Sequence, residues 1–469
     1  MPTLRLPLAA SQIGTRNGSL SYDALLQNCI VEKTGAEEAG IVKRDAAVVS
    51  SVVTDVSAVS SITPVGMWEF GGLVTWAYGY STGPAYKIQI KQNPSSPSSL
   101  NLMTVALGEQ FFPISASYDP IVGKYLFATA TTAYDGSSGT AITLPTATLA
   151  FGSAWLDGFF FIYGTDGKVY NSNLDDPRTW AALNSIKPQT DIGYPTRLTR
   201  YLNYIVTLGT TGYYGFFDAG NATGSPLSPV PNFTGQIGCA SPYSVCTVGN
   251  SLLWLGRDPT GSYGVYELTG TNIKKVSTDA IDRVLNANRD SSAKGTFLYI
   301  GGHRGFYLSS YGLFYDVETG VWSYFTNGSY DSFFGPWSCW FTAGNYIFHA
   351  YSSTVGKPSI CTLSGTTYQE FGTAINVKVV TNEFDRSNRW KFIHEIDLIS
   401  DKVNGTPLIR WTDNDFQSWS SSYSFNTNNN KSSIYRLGRT RRRSFEITHT
   451  DNTAFRAYYL EVDYDIGER

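Results

Sequence analysis

Ionisable side chains are scarce in this chain. Asp, Glu, Lys and Arg make up 16% of its 469 residues, against roughly 25% in ordinary soluble proteins, so much of the surface is expected to meet other protein. The 35 basic and 38 acidic residues leave a formal charge of −3, too near zero for a general nucleic-acid binder. No apolar run approaches the roughly 18 residues of a membrane span, so none is expected. The opening Met1-Pro2-Thr3-Leu4-Arg5-Leu6-Pro7 lacks the hydrophobic stretch of a secretory signal. The cysteines, Cys29, Cys239, Cys246, Cys339 and Cys361, are odd in number and match no zinc spacing. They are expected to be reduced, mostly buried thiols of a protein made in cytoplasm. The histidines, His303, His349, His394 and His449, have no partner His at i+2 or i+4, so no spacing argues for a metal and no cofactor is expected. His394 sits among apolar positions and is expected in the core.

What is abundant points to sheets. Aromatics make up 14%, with 31 Tyr, and there are 45 Gly. Aromatic and β-branched side chains suit pleated strands, and glycine suits the turns between them. Strand-like runs recur as Leu73–Tyr78, Tyr125–Ala128, Phe159–Tyr163, Tyr204–Leu208, Leu252–Leu255, Phe297–Ile300 and Tyr346–Phe348. Most lie roughly 45 residues apart, the period of a four-stranded propeller blade. A small sheet with two apolar faces can bury both only between neighbours, and radial stacking does that while leaving short edges. About six to eight blades are expected on this period; a large array of β-sandwiches is the alternative.

Two regions depart from the blade pattern. Ser277 to Leu285 has a cap-like Ser/Thr start, an acidic first turn, and Ile281, Val284 and Leu285 on one face, which predicts a short amphipathic helix. From about residue 373 the alternation lengthens. Phe392, His394, Ile396 and Leu398 alternate with Ile393, Glu395, Asp397 and Ile399, and Tyr458, Leu460, Val462 and Tyr464 share a face. These predict strands of a separate β-sandwich. Asn426 to Ser433 reads as an exposed polar loop.

Few residues propose chemistry. Gly79-Tyr80-Ser81-Thr82-Gly83 matches the bare Gly-x-Ser-x-Gly pattern, but Pro84 and a second strand-like run follow it, so a β-hairpin is expected in place of a nucleophile elbow. Asp413 to Trp419 resembles a degenerate Asp-box hairpin with Phe416 at the usual Gly position; such a motif stabilises a turn and does no catalysis. A glycosidase would further need a carboxylate pair at a defined separation. No catalytic residue is assigned, and the chain is expected not to be an enzyme. The strongest charge feature is Arg436, Arg439, Arg441, Arg442 and Arg443. On one strand, Arg439, Arg441 and Arg443 would share a side with Phe445 and Ile447 and project past the sandwich end. They are assigned to an interface: bidentate pairing with carboxylates of a neighbouring subunit, or phosphates of passing DNA, beside a plain solvated charge run.

Three stretches carry a family resemblance: Ser172 to Trp180, Gly235 to Val245, and Gly249 to Gly256 leading into Val265–Gly270 and Ser277–Asp282. In that order they resemble the tail hub, or nozzle, proteins of short-tailed bacteriophages, some known as packaged-DNA stabilisation proteins. The resemblance spans about residues 20 to 469. Asn28–Glu32 with Ile41–Arg44 resembles the family's N-terminal strand pair, which joins the C-terminal strands in a platform. The expected fold is thus all-β: an N-terminal segment, 1–60, in the platform; a β-propeller, 61–372; and a C-terminal β-sandwich-like platform domain, 373–469.

The resemblance implies a virion protein made in the host bacterial cytoplasm. It implies a homohexameric ring below the portal and adaptor that retains packaged DNA and conducts it during ejection. Double-stranded DNA would pass without sequence specificity; the slightly acidic charge of −3 per subunit itself predicts low sliding friction in a lumen richer in Asp and Glu than in Lys and Arg. Tail fibres or a tail needle are further partners of such rings. A carbohydrate- or receptor-binding tail propeller is the alternative.

Overall fold

The computed structural model describes residues 3–11, 13–14, 24–33, 39–52, 62–82, 85–327, 339–349, 358–370, 372–384 and 389–467. Within them the chain forms a seven-bladed propeller and a β-sandwich, with one short α-helix.

Blades 1 to 4 are four-stranded meanders beginning at Ile62–Phe70, Ser115–Asp119, Leu149–Leu156 and Pro195–Tyr201. Blade 5 is built on Ser251–Arg257, blade 6 runs from Gly295–Ile300 to Trp322–Tyr324, and blade 7 holds Cys339–Ala343, Tyr346–His349 and Ser359–Ser364. The outer strand of blade 7 comes from far away in sequence. Ala46–Val52 pairs antiparallel with Ser359–Ser364 and then leads into blade 1. The ring is therefore closed by the N-terminal side of the chain. Of the first 60 residues, expected wholly in the platform, 46–52 belong to the propeller because blade 7 would otherwise end on an open edge.

Closure is visible in the packing. Each pair of adjacent blades encloses its own apolar cluster. Phe127, Val65 and Ile88 join blades 1 and 2; Leu126, Phe160 and Ile162 join 2 and 3; Phe161, Ile205 and Phe216 join 3 and 4. Val206, Trp254 and Leu268 join 4 and 5; Leu253, Leu255 and Phe306 join 5 and 6; Tyr307, Phe325 and Ile347 join 6 and 7. Met67, Trp76 and Phe348 join blade 7 back to blade 1. Each fully buried side chain of this kind is worth about 1.5–3 kcal/mol.

This arrangement explains the recurring apolar runs. Successive side chains of a strand point to opposite faces, and here both faces meet a neighbouring blade. Phe160 and Ile162 face blade 2 while Phe161 faces blade 4. Six of the seven runs are the second strands of their blades; Phe297–Ile300 is instead the first strand of blade 6.

The helix Asp279–Ala287 lies between blades 5 and 6. Thr278 Oγ1 caps it by accepting from the Ile281 N–H at 3.4 Å. Ile281, Val284 and Leu285 enter the blade 5–6 cluster.

The sandwich packs one sheet (Cys29–Glu32, Gly40–Lys43, Arg456–Ile466, Lys391–Ser400, Ser433–Thr440, with Thr3–Pro7 added along Arg456–Ile466) against another (Leu25–Gln27, Val377–Val380, Ser444–His449, Leu408–Thr412, Tyr423–Ser424). Their shared core includes Leu26, Val379, Ile396, Phe445, Leu460 and Val462. Two bulges modify the expected alternation. One lies between Ile393 and Glu395, so Ile393, Ile396 and Leu398 are buried while Phe392 and His394 are exposed. His394 is therefore no core residue; its Nε2 meets Asp465 Oδ2 at 2.9 Å on the surface. The other bulge puts Tyr458 out of line with Leu460, Val462 and Tyr464, and its hydroxyl donates to Asp401 at 3.1 Å.

Propeller and sandwich share a buried polar junction. Arg44 and Glu370 pair at 2.5 and 2.9 Å with both side chains fully shielded. Arg44 also donates to Asn28 Oδ1 at 3.0 Å and to the Thr326 carbonyl at 2.8 Å, and Glu370 accepts the Ala47 N–H at 3.0 Å. Asn28, in the left-handed region at φ 54°, donates to Thr326 Oγ1 and to the Asn376 carbonyl. The knot thus ties the start of the closing strand to blade 6 and to the segment entering the sandwich. A second tie is apolar: Phe416, Leu25 and Val380 of the sandwich enter the blade 5–6 cluster.

Candidate functional site

The five arginines do not lie along one strand. Ser433–Thr440 ends before Arg441, the chain turns at 441 and 442, and Arg443 enters the opposite sheet through a bridge to Phe384. Arg443 points inward, contrary to its interface assignment. Its Nε and Nη2 each donate to Asp413 at 2.7 Å, Nη1 donates to the Leu437 carbonyl at 2.8 Å, and the guanidinium stacks on Trp411 at 5.0 Å. It fastens the two sheets together and holds the Asp-box-like turn. In that turn Thr412 Oγ1 accepts the Phe416 N–H at 3.2 Å, and Phe416 takes φ 66°, a value that the glycine usual at this position adopts without strain.

The other four arginines are exposed. Arg439 and Arg441 both stack on Trp390, with guanidinium carbons 4.8 and 4.7 Å from the ring centroid. Arg436 bulges from the strand at φ 63°. None of Arg436, Arg439, Arg441 and Arg442 forms an ion pair among the described residues. They lie along and just beyond the outer edge of Ser433–Thr440, which among the described residues pairs on one side only. Trp390 was not legible as part of this group, because the sequence places it some 50 residues before the arginines and only the sheet pairing Lys391↔Thr440 brings them together.

The propeller axis is the other concave feature. Inner strands place Ser117, Ser153, Thr199, Thr247, Thr296 and Thr342, one from each of blades 2 to 7, around a chamber of about 540 Å³. Ser115 Oγ donates to Ser153 Oγ at 3.3 Å, and Thr296 and Thr342 hydroxyls meet at 2.8 Å. Phe151 and Tyr243, edge to face at 4.8 Å, line both this chamber and a neighbouring apolar cup formed by blades 2 to 5. Arg197 lies over Phe151 at 4.5 Å.

Other candidates resolve into structure. Ser81 lies within the strand Leu73–Thr82, paired with Tyr86, while Gly83 and Pro84 fall outside the described residues. Gly79 is required by packing, since a Cβ there would stand 1.8 Å from the Gln110 carbonyl oxygen. Burial pushes the Cys29, Cys239, Cys246 and Cys361 thiols up to about 12, which makes them poor nucleophiles; the side chains of Cys339 and His349 fall outside the described residues. His303 Nδ1 meets Asp316 at 2.8 Å, a contact that raises its pKa. His449 is buried against Phe455 and held low, to about 4, by burial and by Lys43. Among the described residues no three His, Cys, Asp or Glu side chains converge as a metal site.

Seven mutually packed blades and a sandwich drawn from both ends of the sequence define a β-propeller protein with an appended β-sandwich. The family model described as bacteriophage P22 Gp10, beta-propeller, matches residues 123–357, half of the chain, and the chain belongs to that family. It is a bacteriophage protein with a structural role. No curated protein matches it. Among solved structures it is similar to BamB from Moraxella catarrhalis (13% identity, 76% of this chain and 100% of that one, TM-score 0.37). It is also similar to an exo-β-1,3-galactanase from Phanerochaete chrysosporium (10% identity, 89% and 100%, TM-score 0.30) and to the WD40 propeller domain of Doa1 (9% identity, 65% and 98%, TM-score 0.34). At these scores none bears on function, and the propeller assignment rests on the strand topology and the family.

Proposed function

We propose that the chain is a subunit of a phage tail nozzle, a homohexameric ring below the portal and adaptor that retains packaged DNA and conducts it during ejection. Membership of the P22 Gp10 propeller family carries this reading. The size of the axial chamber, about 540 Å³, is consistent with it: that is the volume of a small-molecule site, so DNA would pass through the centre of the assembled ring, not through a subunit. The exposed arginines around Trp390 suit contact with a neighbour's carboxylates. Arginine stacked on an aromatic ring is already held in place, so less rotamer freedom is lost on pairing. Bidentate pairs at a subunit boundary also leave a conduit with few fixed cations to drag on phosphates.

The test is assembly on the purified adaptor ring, read by native mass and electron microscopy. Six copies per adaptor are expected, with Arg441→Glu reducing occupancy. A chain that stays monomeric with the adaptor, together with particles that keep and deliver their genome without it, overturns the reading.

A further inference from the structure

The axial chamber holds an unbalanced cation. Arg197 Nη1 donates to the Pro242 carbonyl at 2.9 Å, yet its Nε is shut off from solvent and has no hydrogen-bond partner. No carboxylate stands within ion-pair distance of it among the described residues. Burial lowers its pKa to about 10, and its neighbours Cys239, Cys246 and Tyr243, themselves raised by burial, stay neutral and supply no counter-charge at neutral pH. Guanidinium groups stay protonated at neutral pH, and a buried donor left unpaired is destabilising, more so when charged.

Two further atoms in the chamber wall share this state. Trp155 Nε1 and Ser117 Oγ are shielded and unpartnered. The Ser115–Ser153 hydroxyl contact sets the neighbouring inner strands in register, so Ser117 and Trp155 fall at the same level. Arg197 lies deeper, opposite Phe151. Among the described residues the only carboxylate lining the chamber is Glu69, which is exposed and comes from blade 1, across the axis from Arg197 of blade 4. The remaining wall includes Trp68, Phe70 and Tyr118, flat apolar faces beside the hydroxyl ring. A volume of about 540 Å³ is that of a small-molecule site, apolar with a few convergent polar groups.

We propose that the propeller axis is a binding site for a small oxyanionic ligand of about sugar size, its carboxylate or phosphate held by Arg197 and its remaining oxygens by the ring of Ser and Thr hydroxyls that lines the chamber. Nothing in the ring-forming role requires such a site, and the two readings fail independently.

The test is calorimetric titration of the full chain, at constant ionic strength, with inorganic phosphate, glucose 6-phosphate and glucuronate, and with glucose as the uncharged control. Binding of at least one anion is expected, tenfold or more tighter than glucose, and weakened at least tenfold in Arg197→Met, which keeps the stem over Phe151. Phosphate binding alone would assign the pocket to a phosphoryl group, and glucuronate binding alone to a carboxylate. Hydrogen exchange of the unaltered protein with the bound probe provides a readout that needs no variant; protection is expected in 151–155 and 197–200. The proposal is overturned by no binding of any anion at concentrations up to about 10 mM (some tenfold above a Kd of about 1 mM), by equal binding of glucose, by undiminished binding in Arg197→Met, or by protection confined to other segments.

Discussion

Replacing Arg44 by Ala tests the junction between propeller and sandwich. The substitution strands the Glu370 carboxylate, whose side chain is fully shielded, and takes donors from Asn28 Oδ1 and from the Thr326 and Asp45 carbonyls. Removing one partner of a buried pair costs about 3–5 kcal/mol, a large share of the roughly 5–15 kcal/mol by which domains are stable. Arg44→Lys keeps the charge but not the planar fork, and should lose less. Arg44→Met with Glu370→Leu removes both charges and should recover most of the loss. The defect should begin locally, because Arg44 sits two residues before the closing strand and Glu370 holds the Ala47 N–H. Hydrogen exchange should therefore show faster exchange in 46–52 and 359–364 before blades 3 and 4 respond, and urea unfolding should shift to lower midpoint. A loss under about 1 kcal/mol, or exchange unchanged in those strands, would refute the assignment of the knot as the clasp of the ring.

Three further outcomes are expected. Gly79→Ala should destabilise by about 3 kcal/mol, the upper end for overpacking, whereas Ser81→Ala should be neutral to within about 0.5 kcal/mol; the reverse order in thermal unfolding would reopen a role for the serine. His449, ordinarily near 6.5 and held to about 4, stays neutral in the folded state while the unfolded chain takes up a proton. Its contribution is thus fully present above pH 6.5 and lost as pH falls towards 4, by about 3 kcal/mol at roughly 1.4 kcal/mol per unit. His449→Gln should flatten that part of the stability profile relative to the unaltered protein. Arg443→Ala should cost about 2 kcal/mol through its hydrogen-bonded pair with Asp413, while Arg441→Ala should leave the unfolding midpoint unchanged and weaken only assembly on the adaptor.

The fold was readable where packing is two-sided. The run Phe159–Tyr163 is continuous because its faces feed two different clusters, and a period near one blade follows from repeating that requirement. The helix after Ser277 was equally plain, since its cap and apolar face are local. What failed was parity. A single bulged residue at His394 moves every later side chain to the other face, and nothing in the composition of Phe392 to Leu398 marks it. The same limit hid the arginine arrangement: the turn at 441 and 442 itself contains no Gly or Pro, so Arg443 read as continuing a strand it does not belong to. The axial chamber had no sequence signature, because its hydroxyls and Arg197 come from separate blades.

Ring closure by Ala46–Val52 also sets a timetable. Its partner, Ser359–Ser364, leaves the ribosome some 300 residues later, roughly 15 to 60 seconds at 5–20 residues per second. Throughout that interval the nascent chain carries an unpaired β-strand and a half-built wheel whose last inter-blade seam does not yet exist. Such long-range pairing is slow and exposes sticky edges, so yield should depend on translation speed and holdase supply more steeply than the stability of the finished wheel would suggest.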